Sequence, residues 1–445
     1  QILWHGPLSQ FPFTGHDGHF SASVPLRGAT LRFDEGWPAL TNLDLDLLFE
    51  DDDLWMSAGQ GQIGANSVQQ LKASIAPLDG TAPLHIDSQI KGSGSAISKV
   101  FNQSPLADSL GATLNQLPLS GTVNGQLQLE IPLYADAEVK ASGEARFAGN
   151  NLKILPLGLE LGKIHGTLAF SNSQLKARKL QARYRGQQLT LNLDGHEQGE
   201  DYQLALDWRG RGPLAELAEL NGSDGLPLLA GTLDWQAKLQ ATLGTNDNFS
   251  FTASSNLAAA SSRLPYPLHK NTGPAQPLTL NVQRQGEAIS ARLDMPGRAQ
   301  GQATAKGSQL QALALSLGDA ALPALEPGLA NVTVNADNLA VDEWLALRPL
   351  LAAHGDSSPL RLGQIQARAN QFSGWGLSLG PAHIDLFANG ADYALELSGA
   401  DNSLALLLGE QIQLHGEQLT LRRIASAEPA VPAPPTAASA LPTLP

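Results

Sequence analysis

Residues 233–243 read LDWQAKLQATL, and apolar and polar side chains alternate along this stretch. Side chains on a β-strand point to opposite faces in turn, so the pattern predicts a strand with one apolar and one polar face. The same alternation recurs along much of the chain, for example in 127–133 (LQLEIPL) and 393–397 (YALEL). Many one-sided strands must place a long apolar surface somewhere, and we expect the function to lie there.

The length of the chain limits how these strands can assemble. At about ten residues plus a turn per strand, the sequence gives on the order of 30 strands. Open twisted sheets seldom exceed about 10 strands without curling or splitting. The sheet must therefore either break into several barrels or sandwiches, or bend across its width into a long U-shaped groove.

The composition excludes several classes of function. The net charge is −14 and no basic stripe is visible, which argues against nucleic-acid binding, because phosphate contacts need clustered Lys and Arg. The absence of cysteine excludes disulfides, thiolate metal sites and cysteine nucleophiles. No run of 18 apolar residues occurs, so no helix is expected to cross a bilayer. Because the sequence starts abruptly at Gln1, we expect it to be a piece of a longer protein.

Three segments interrupt the strand pattern with helical spacing, namely 95–117, 213–220 and 341–354. Each is followed by a Pro-Leu pair and then by another strand. This order is a degenerate internal repeat of meander, short helix and meander.

Three short motifs resemble known ligand-binding motifs, and each also has a simpler structural interpretation. Gly59-Gln-Gly-Gln-Ile-Gly64 matches the glycine fingerprint of dinucleotide-binding turns, but no βαβ unit surrounds it, so we interpret its glycines as turn residues. His16-Asp-Gly-His19 would need a further metal ligand from elsewhere, which favours a polar loop. Glu50-Asp-Asp-Asp53 lacks the spacing and the glycine of a calcium loop and is predicted to form a solvated hairpin tip.

The sequence gives no positive evidence for catalysis. No Gly-x-Ser-x-Gly, His-Glu-x-x-His or P-loop motif occurs, and no pair of acidic residues is singled out. We predict that the chain is not an enzyme and that it has no cofactor and no metal site.

Several blocks carry a family resemblance. They are GPLSQFPF at 6–13, FSASVPLRGATLRF at 20–33, GWPALTNLDLDL at 36–47 and LWM at 54–56, with the shorter LDWRG at 206–210, LPYPL at 264–268 and VDEW at 341–344. Together they resemble the central region of a long member of the AsmA-like family of Gram-negative envelope proteins, to which TamB and YdbH belong. The blocks near the start of the chain are the more specific to this family. The rest of the chain resembles it only in its general sequence character and in scattered short motifs.

The resemblance implies a fold and a function. It implies a β-groove protein of the periplasm, anchored in the inner membrane, that carries phospholipids toward the outer membrane. We therefore predict a mainly β chain, a long, twisted, U-shaped antiparallel β-sheet groove with a few short helices. Residues 1–424 would form one continuous β-groove segment with the three helical insertions, and 425–445 a Pro/Ala-rich disordered linker or loop.

The resemblance also implies partners. They are phospholipids and, through parts missing from this chain, the inner and outer membranes. We expect a monomer.

The alternation nominates residues for the lipid-facing side of the groove. The predicted lipid-binding residues are Leu127, Leu129, Ile131, Leu233, Ala237, Leu239, Ala241, Leu395, Leu397, Ile412 and Leu414, and their outward-facing controls are Gln128, Gln240, Glu396 and Gln413. Exposing two tails of about 16 carbons to water costs on the order of 25 kcal/mol at about 0.8 kcal/mol per methylene, so a carrier must cover them throughout transit.

Two other functions remain open at this point. One is a protein-binding scaffold that assists outer-membrane protein assembly by strand addition at an open edge. The other is a carbohydrate-active or adhesive β-solenoid, against which the aromatic content of 5% counts.

Overall fold

The computed structural model describes residues 1–15, 18–32, 35–133, 138–155, 159–199, 201–218, 227–243, 248–349, 360–389, 392–409 and 412–423. The chain divides into two compact units. Unit 1 comprises Gln1–Ser262, Lys270–Pro296 and Thr304–Ser308, and unit 2 comprises Arg263–His269, Gly297–Ala303 and Gln309–Pro445. The single continuous segment 1–424 stays a prediction, and the segment 425–445 lies outside the described residues.

Unit 1 is built from antiparallel strands that pair mostly with their neighbours along the chain. They are β1 (Ile2–His5), β2 (His19–Leu31), β3 (Leu40–Glu50), β4 (Asp53–Ile63), β5 (Asn66–Ile75), β6 (Leu84–Ser93), β7 (Leu119–Ser120), β8 (Thr122–Ile131), β9 (Lys140–Ile154), β10 (Leu159–Ser171), β11 (Gln174–Tyr184), β12 (Gln187–Gln198), β13 (Asp201–Pro213), β14 (Leu229–Leu243), β15 (Asn248–Ser255), β16 (Ala260–Ser262), β17 (Leu278–Gln285) and β18 (Ala288–Met295). Among the described residues β1 pairs with β2 alone, so the sheet of this unit is open at that edge.

The helices of unit 1 are short and lie within two of the segments with helical spacing. They are α1 (Gly94–Asn102), α2 (Ala112–Gln116) and α3 (Leu214–Ala218), with a single π-turn at Ala107–Gly111 and a 3-10 turn at Leu8–Gln10. Ser93 caps α1, because its hydroxyl accepts a hydrogen bond from the backbone N–H of Ala96 at 3.2 Å. Since β6 pairs with β8 up to Ser93 and Thr122, the α1–α2 segment is an insertion at the end of a strand pair.

Unit 2 continues the β architecture with one difference in strand direction. Its elements are β20 (Gln309–Gly318), β21 (Leu329–Ala340), α4 (Val341–Leu345), β22 (Arg361–Gly374), β23 (Leu377–Leu379), β24 (Ala382–Asn389), β25 (Asp392–Gly399), β26 (Asn402–Leu408), β27 (Ile412–Leu419) and β28 (Arg422–Arg423), together with residues 299–303 of β19 (Ala299–Lys306). The pairs β20–β21 and β21–β22 are parallel.

The predicted mainly β fold, an open sheet with a few short helices, is therefore confirmed, whereas strictly antiparallel pairing is wrong for these two ladders. Parallel neighbours need a connection that returns along the strand. The connections 319–328 and 341–360 are long enough to make that return.

β-Bulges let buried residues break the strict alternation. Leu161 and Ile164 on β10 are both buried, although they are an odd number of positions, three, apart along the strand. The pairing with β9 shifts register between these two residues, and Lys163 adopts a left-handed φ of 51° there. A bulge adds one unpaired residue, so it returns the next side chain to the same face.

The structure agrees with one of the three simpler motif interpretations, qualifies a second and does not test the third. Asp51 and Asp52 form the two-residue turn of the β3–β4 hairpin, as predicted. Of the glycine motif only Gly64 lies in a turn, since Gly59 and Gly61 lie inside β4, and an antiparallel strand rather than a helix follows. His16 and Asp17 lie outside the described residues.

The buried core of unit 1 lies where α1 packs on the apolar face of β3–β8. Phe101 is buried there, with Ile97 and Val100 beside it, against a cluster that includes Leu43 and Leu127. Positions 97, 100 and 101 share one side of a helix, so burying this face gives the short α1 tertiary support.

Candidate functional site

One row of directly paired residues crosses the apolar face of unit 1. In strand order it consists of Gly61, Val68, Ile90, Gly125, Ala145, Leu168, Ala177, Leu193, Leu206, Leu239, Phe251, Val282 and Ala291. Directly opposite residues share a face, and at about 4.8 Å per strand the twelve steps give a row about 58 Å long. We call it the central row. It contains no polar and no charged side chain.

The rows on either side of the central row are also apolar over many strands. One contains Leu180, Leu191, Trp208, Ala237, Ala253, Leu280 and Leu293. The other contains Leu127, Gly143, Phe170, Leu175, Gly195, Leu204, Ala241 and Phe249. The apolar face is therefore a band several residues wide.

The opposite face of the same strands is polar. Gln240, the neighbour of Leu239, pairs with Ser250 on β15. Lys238 Nζ lies 4.0 Å from a carboxylate oxygen of Asp207 on β13. Exposed ion pairs contribute little stability, so the main effect of these residues is to keep this face in water.

The apolar band is only half-buried along much of its length. Leu206, Phe251 and Val282 on the central row are all intermediate in exposure, although each is large and apolar. A closed core would bury such residues fully. Beyond β12 the band is thus partly accessible, although Ala237, Leu239 and Ala241 on β14 are buried.

A cavity of about 560 Å³ lies on the band beneath the helices. The apolar residues on its helical side include Ile97, Phe101, Leu114 and Leu117, and those on its strand side include Ile90, Val123, Gly125, Leu127, Ala145, Phe147, Leu168, Phe170 and Leu175. We call this cavity the roofed chamber. Four of its residues, Ile90, Gly125, Ala145 and Leu168, are consecutive members of the central row, so the chamber is a covered stretch of the same band.

Unit 2 has its own apolar row. It consists of Leu315, Val332, Ile365, Leu386, Leu395, Leu406 and Leu414. Leu397 and Ile412 lie on the same face, two residues along β25 from Leu395 and two along β27 from Leu414. The parallel and antiparallel ladders of this unit therefore place their apolar residues together.

Comparison with known proteins identifies the family. The family model described as YhdP protein matches residues 1–445. The chain belongs to this family. The Escherichia coli (strain K12) protein named intermembrane phospholipid transporter YhdP is 34% identical over 353 residues, which are 78% of this chain and 27% of that protein. The chain thus spans about a quarter of the length of this relative.

The resemblance found in the sequence blocks is therefore confirmed. The comparisons indicate no catalytic family, in agreement with the prediction that the chain is not an enzyme. Among the described residues no helix has both the length and the apolar character needed to cross a bilayer.

The residues predicted to bind lipid occupy the apolar faces of the two units, with very different exposure. Leu127, Leu129, Ile131, Leu233, Ala237, Leu239, Ala241 and Leu397 are buried, and Leu395 is half-buried. Ile412 and Leu414, on β27, are 72% and 64% exposed. Their contact with lipid stays a prediction, and the controls Gln128, Gln240, Glu396 and Gln413 are all exposed.

The aromatic residues of the band in this YhdP-family chain were not among the residues predicted to bind lipid. The ring centroids of Trp208 and Phe251 are 5.8 Å apart, and those of Trp208 and Trp235 are 6.5 Å apart in an edge-to-face arrangement. The space beside Trp235 exists because position 210 is glycine, since a Cβ there would lie 2.2 Å from the indole. The alternation of β13, where Trp208 shares a face with Leu206, was the signal that could have found them.

Tyr202 lies on the same face of β13 as Leu204, two residues along the strand. Burial, followed by the charges of Glu197 and Asp194, raises the pKa of Tyr202 to about 12, so its hydroxyl stays neutral at physiological pH. Within the described part of the chain no group of three or more His, Cys, Asp or Glu residues could hold a metal ion.

Proposed function

We propose that the apolar band of unit 1 conducts the acyl chains of phospholipids, and that this chain is a segment of a protein that moves phospholipid between membranes. The observation that carries the proposal is the central row. It runs about 58 Å across thirteen strands without a polar side chain. A hydrocarbon tail moving along it meets no group that it would have to desolvate.

The second support is the partial exposure of the band. Covering an acyl chain restores about 0.8 kcal/mol for each methylene removed from water. Half-buried side chains such as Leu206 and Phe251 are available for that contact, whereas a closed core would not be. The charged head group can remain in water at the mouth of the groove, which avoids the cost of burying a phosphate.

The name of the E. coli relative supports this proposal, since that protein is called an intermembrane phospholipid transporter. We extend the proposal to a location and an arrangement. The full-length protein would bridge the inner and outer membranes across the periplasm, anchored to the inner membrane, with the present chain as a monomeric part of its groove. The apolar row of unit 2, with Leu395 and Leu414, would serve the same purpose.

Site-specific photo-crosslinking tests the proposal directly. A photoreactive phenylalanine analogue is placed at Leu206 or Leu239 on the central row, and at Ala205 or Gln240 on the opposite face, in the full-length protein in cells. We expect phospholipid adducts from the first pair and not from the second. Equal labelling of the two faces, or no lipid at either, contradicts the proposal.

The same experiment distinguishes lipid conduction from the alternative function as a protein-binding scaffold. A protein that works by strand addition would give adducts with β-rich polypeptides, concentrated at a free strand edge such as β1. Polypeptide adducts at β1 together with unlabelled central-row positions would favour that function instead.

A further inference from the structure

The roofed chamber differs from the rest of the band because α1 and α2 cover it. The central-row residues Ile90, Gly125 and Ala145 are half-buried, and they line this cavity together with side chains of α1 and α2. The chamber of about 560 Å³ lies within the range of sites that enclose a single small ligand, about 300–1,000 Å³. An acyl chain that enters this apolar cavity is covered by protein on more sides than one that lies on the open apolar surface beside it.

The chemistry of the lining sets the class of occupant. The helical side presents Ile97, Phe101 and Leu114, and the strand side is aliphatic and aromatic. These apolar side chains offer no hydrogen bonds, so this part of the lining suits a flexible hydrocarbon chain.

Most of the polar residues that line the chamber lie on the helical segment, apart from Gln126 and Glu144 on the strands. Ser98, Lys99, Asn102 and Asn115 all line it, and Lys99 and the two asparagines are exposed. Lys99 is cationic and can attract a phosphate as a point charge. Glu144 also lines the chamber, but it follows Gly143 on β9 and therefore points its carboxylate to the opposite face, 3.9 Å from Arg146.

We propose that the roofed chamber is a resting site for one phospholipid, in which α1 and α2 enclose one acyl chain over Ala145 and Leu168 while the head-group phosphate lies at Lys99. This inference rests on the proposed function, because the chain reaches the chamber along the central row. It adds a fixed binding site to a surface that would otherwise hold lipid anywhere.

A matched pair of substitutions on one strand can test the site. Ala145 is half-buried and faces the chamber, so Ala145→Trp fills it. Ala148 on the same strand is exposed and does not line the chamber, so Ala148→Trp adds the same side chain outside it.

The probe is a phosphatidylethanolamine with a diazirine at the end of one acyl chain, incubated with the purified 445-residue chain and mapped by peptide mass spectrometry. In the unchanged chain we expect labels both in 94–118 and around Leu239. Ala145→Trp should lower labelling of 94–118 by roughly tenfold, the low end of what overfilling a packed site costs, and leave labelling near Leu239 unchanged. Ala148→Trp should change neither.

The outcomes separate this inference from the proposed function. Labels around Leu239 without labels in 94–118 overturn the resting site and leave the band as a lipid path. Absence of both overturns both proposals. The map of the unchanged chain decides between these cases even if Ala145→Trp does not fold.

The place of the head group has its own test. Lys99→Gln should lower labelling of 94–118 by the phosphatidylethanolamine probe about threefold, as an exposed charge contact would. A diacylglycerol with the same diazirine lacks the phosphate and should be unaffected. An equal effect on both probes, or none on either, removes Lys99 from the site.

Discussion

The side-chain amides of Asn102 and Asn115 hydrogen-bond to each other twice. The Nδ2 of Asn102 donates to Oδ1 of Asn115 at 2.9 Å, and the Nδ2 of Asn115 donates to Oδ1 of Asn102 at 3.1 Å. This pair joins the last residue of α1 to α2, across the intervening π-turn. These two hydrogen bonds connect the helices to each other, whereas apolar side chains such as Phe101 pack them onto the band.

The amide pair should stabilise α2 against local opening. Because both asparagines are exposed, we expect a coupling free energy of only about 0.5 kcal/mol from the cycle of Asn102→Ala, Asn115→Ala and the double variant. Hydrogen exchange of the α2 amides is the measurement, since local opening is read there rather than in global unfolding. Strictly additive single effects would show that the pair contributes nothing to holding α2.

A charge on the central row should impair transport more than a charge on the opposite face. In Leu239→Glu the carboxylate stands between Leu206 and Phe251, in the proposed path of the tails, whereas in Gln240→Glu it points into water. We expect phospholipid transport by the full-length protein in cells to fall at least about tenfold for the first variant and to stay near normal for the second. Equal protein levels are the control, and the reverse ranking would show that the assigned faces are exchanged.

Gly210 should not tolerate a side chain. A Cβ at this position would lie 2.2 Å from Cε2 of Trp235, so Gly210→Ala must displace the indole from its packing against Trp208. We expect the free energy of unfolding in urea to fall by about 1–3 kcal/mol. Gly59→Ala is the matched control on β4, because nothing lies within 4 Å of its Cβ position, and it should be neutral or slightly stabilising.

Tyr202 should make the chain less stable at alkaline pH. Burial raises its pKa from 10 to about 12, with the charges of Glu197 and Asp194 as further causes. The folded state therefore keeps the proton more tightly than the unfolded state, so the stabilisation is complete below pH 10 and is lost as the pH rises from 10 toward 12. Urea unfolding as a function of pH measures this loss.

Tyr202→Phe is the control for that pH dependence. Within the described residues the Tyr202 hydroxyl is buried without a hydrogen-bond partner, so its removal should be neutral or slightly stabilising at pH 7. Above pH 10 the phenylalanine variant should lose less stability than the natural chain. Parallel curves for the two proteins would assign the alkaline loss to other groups.

Much of the fold followed from the sequence because its signals are local. Alternation with period two gave the faces of Leu239 and Gln240 without knowledge of any partner strand. Helical spacing located α1 through Ile97, Val100 and Phe101. The family resemblance rested on short blocks near the start of the chain and was confirmed over residues 1–445.

Other features depended on pairing between distant segments. That Leu127 and Ala241 lie in one row follows from six successive ladders whose register is set by their turns and bulges. The bulge at Lys163, which buries both Leu161 and Ile164, has no signature in the alternation. The direction of the strands in the parallel ladders of unit 2 depends on the path of the connections between β20, β21 and β22, which the alternation does not encode.

The sequence by itself thus determined which side of each strand is apolar, because that property belongs to a few neighbouring residues. Only the tertiary structure decided that in unit 1 these sides align into one band, and that α1 and α2 cover part of it. It also decided that Ile412 in unit 2 is 72% exposed, whereas Leu239 in unit 1 is buried. The physical reason is that register, helix docking and burial are set by contacts between residues far apart in the chain, which local periodicity does not encode.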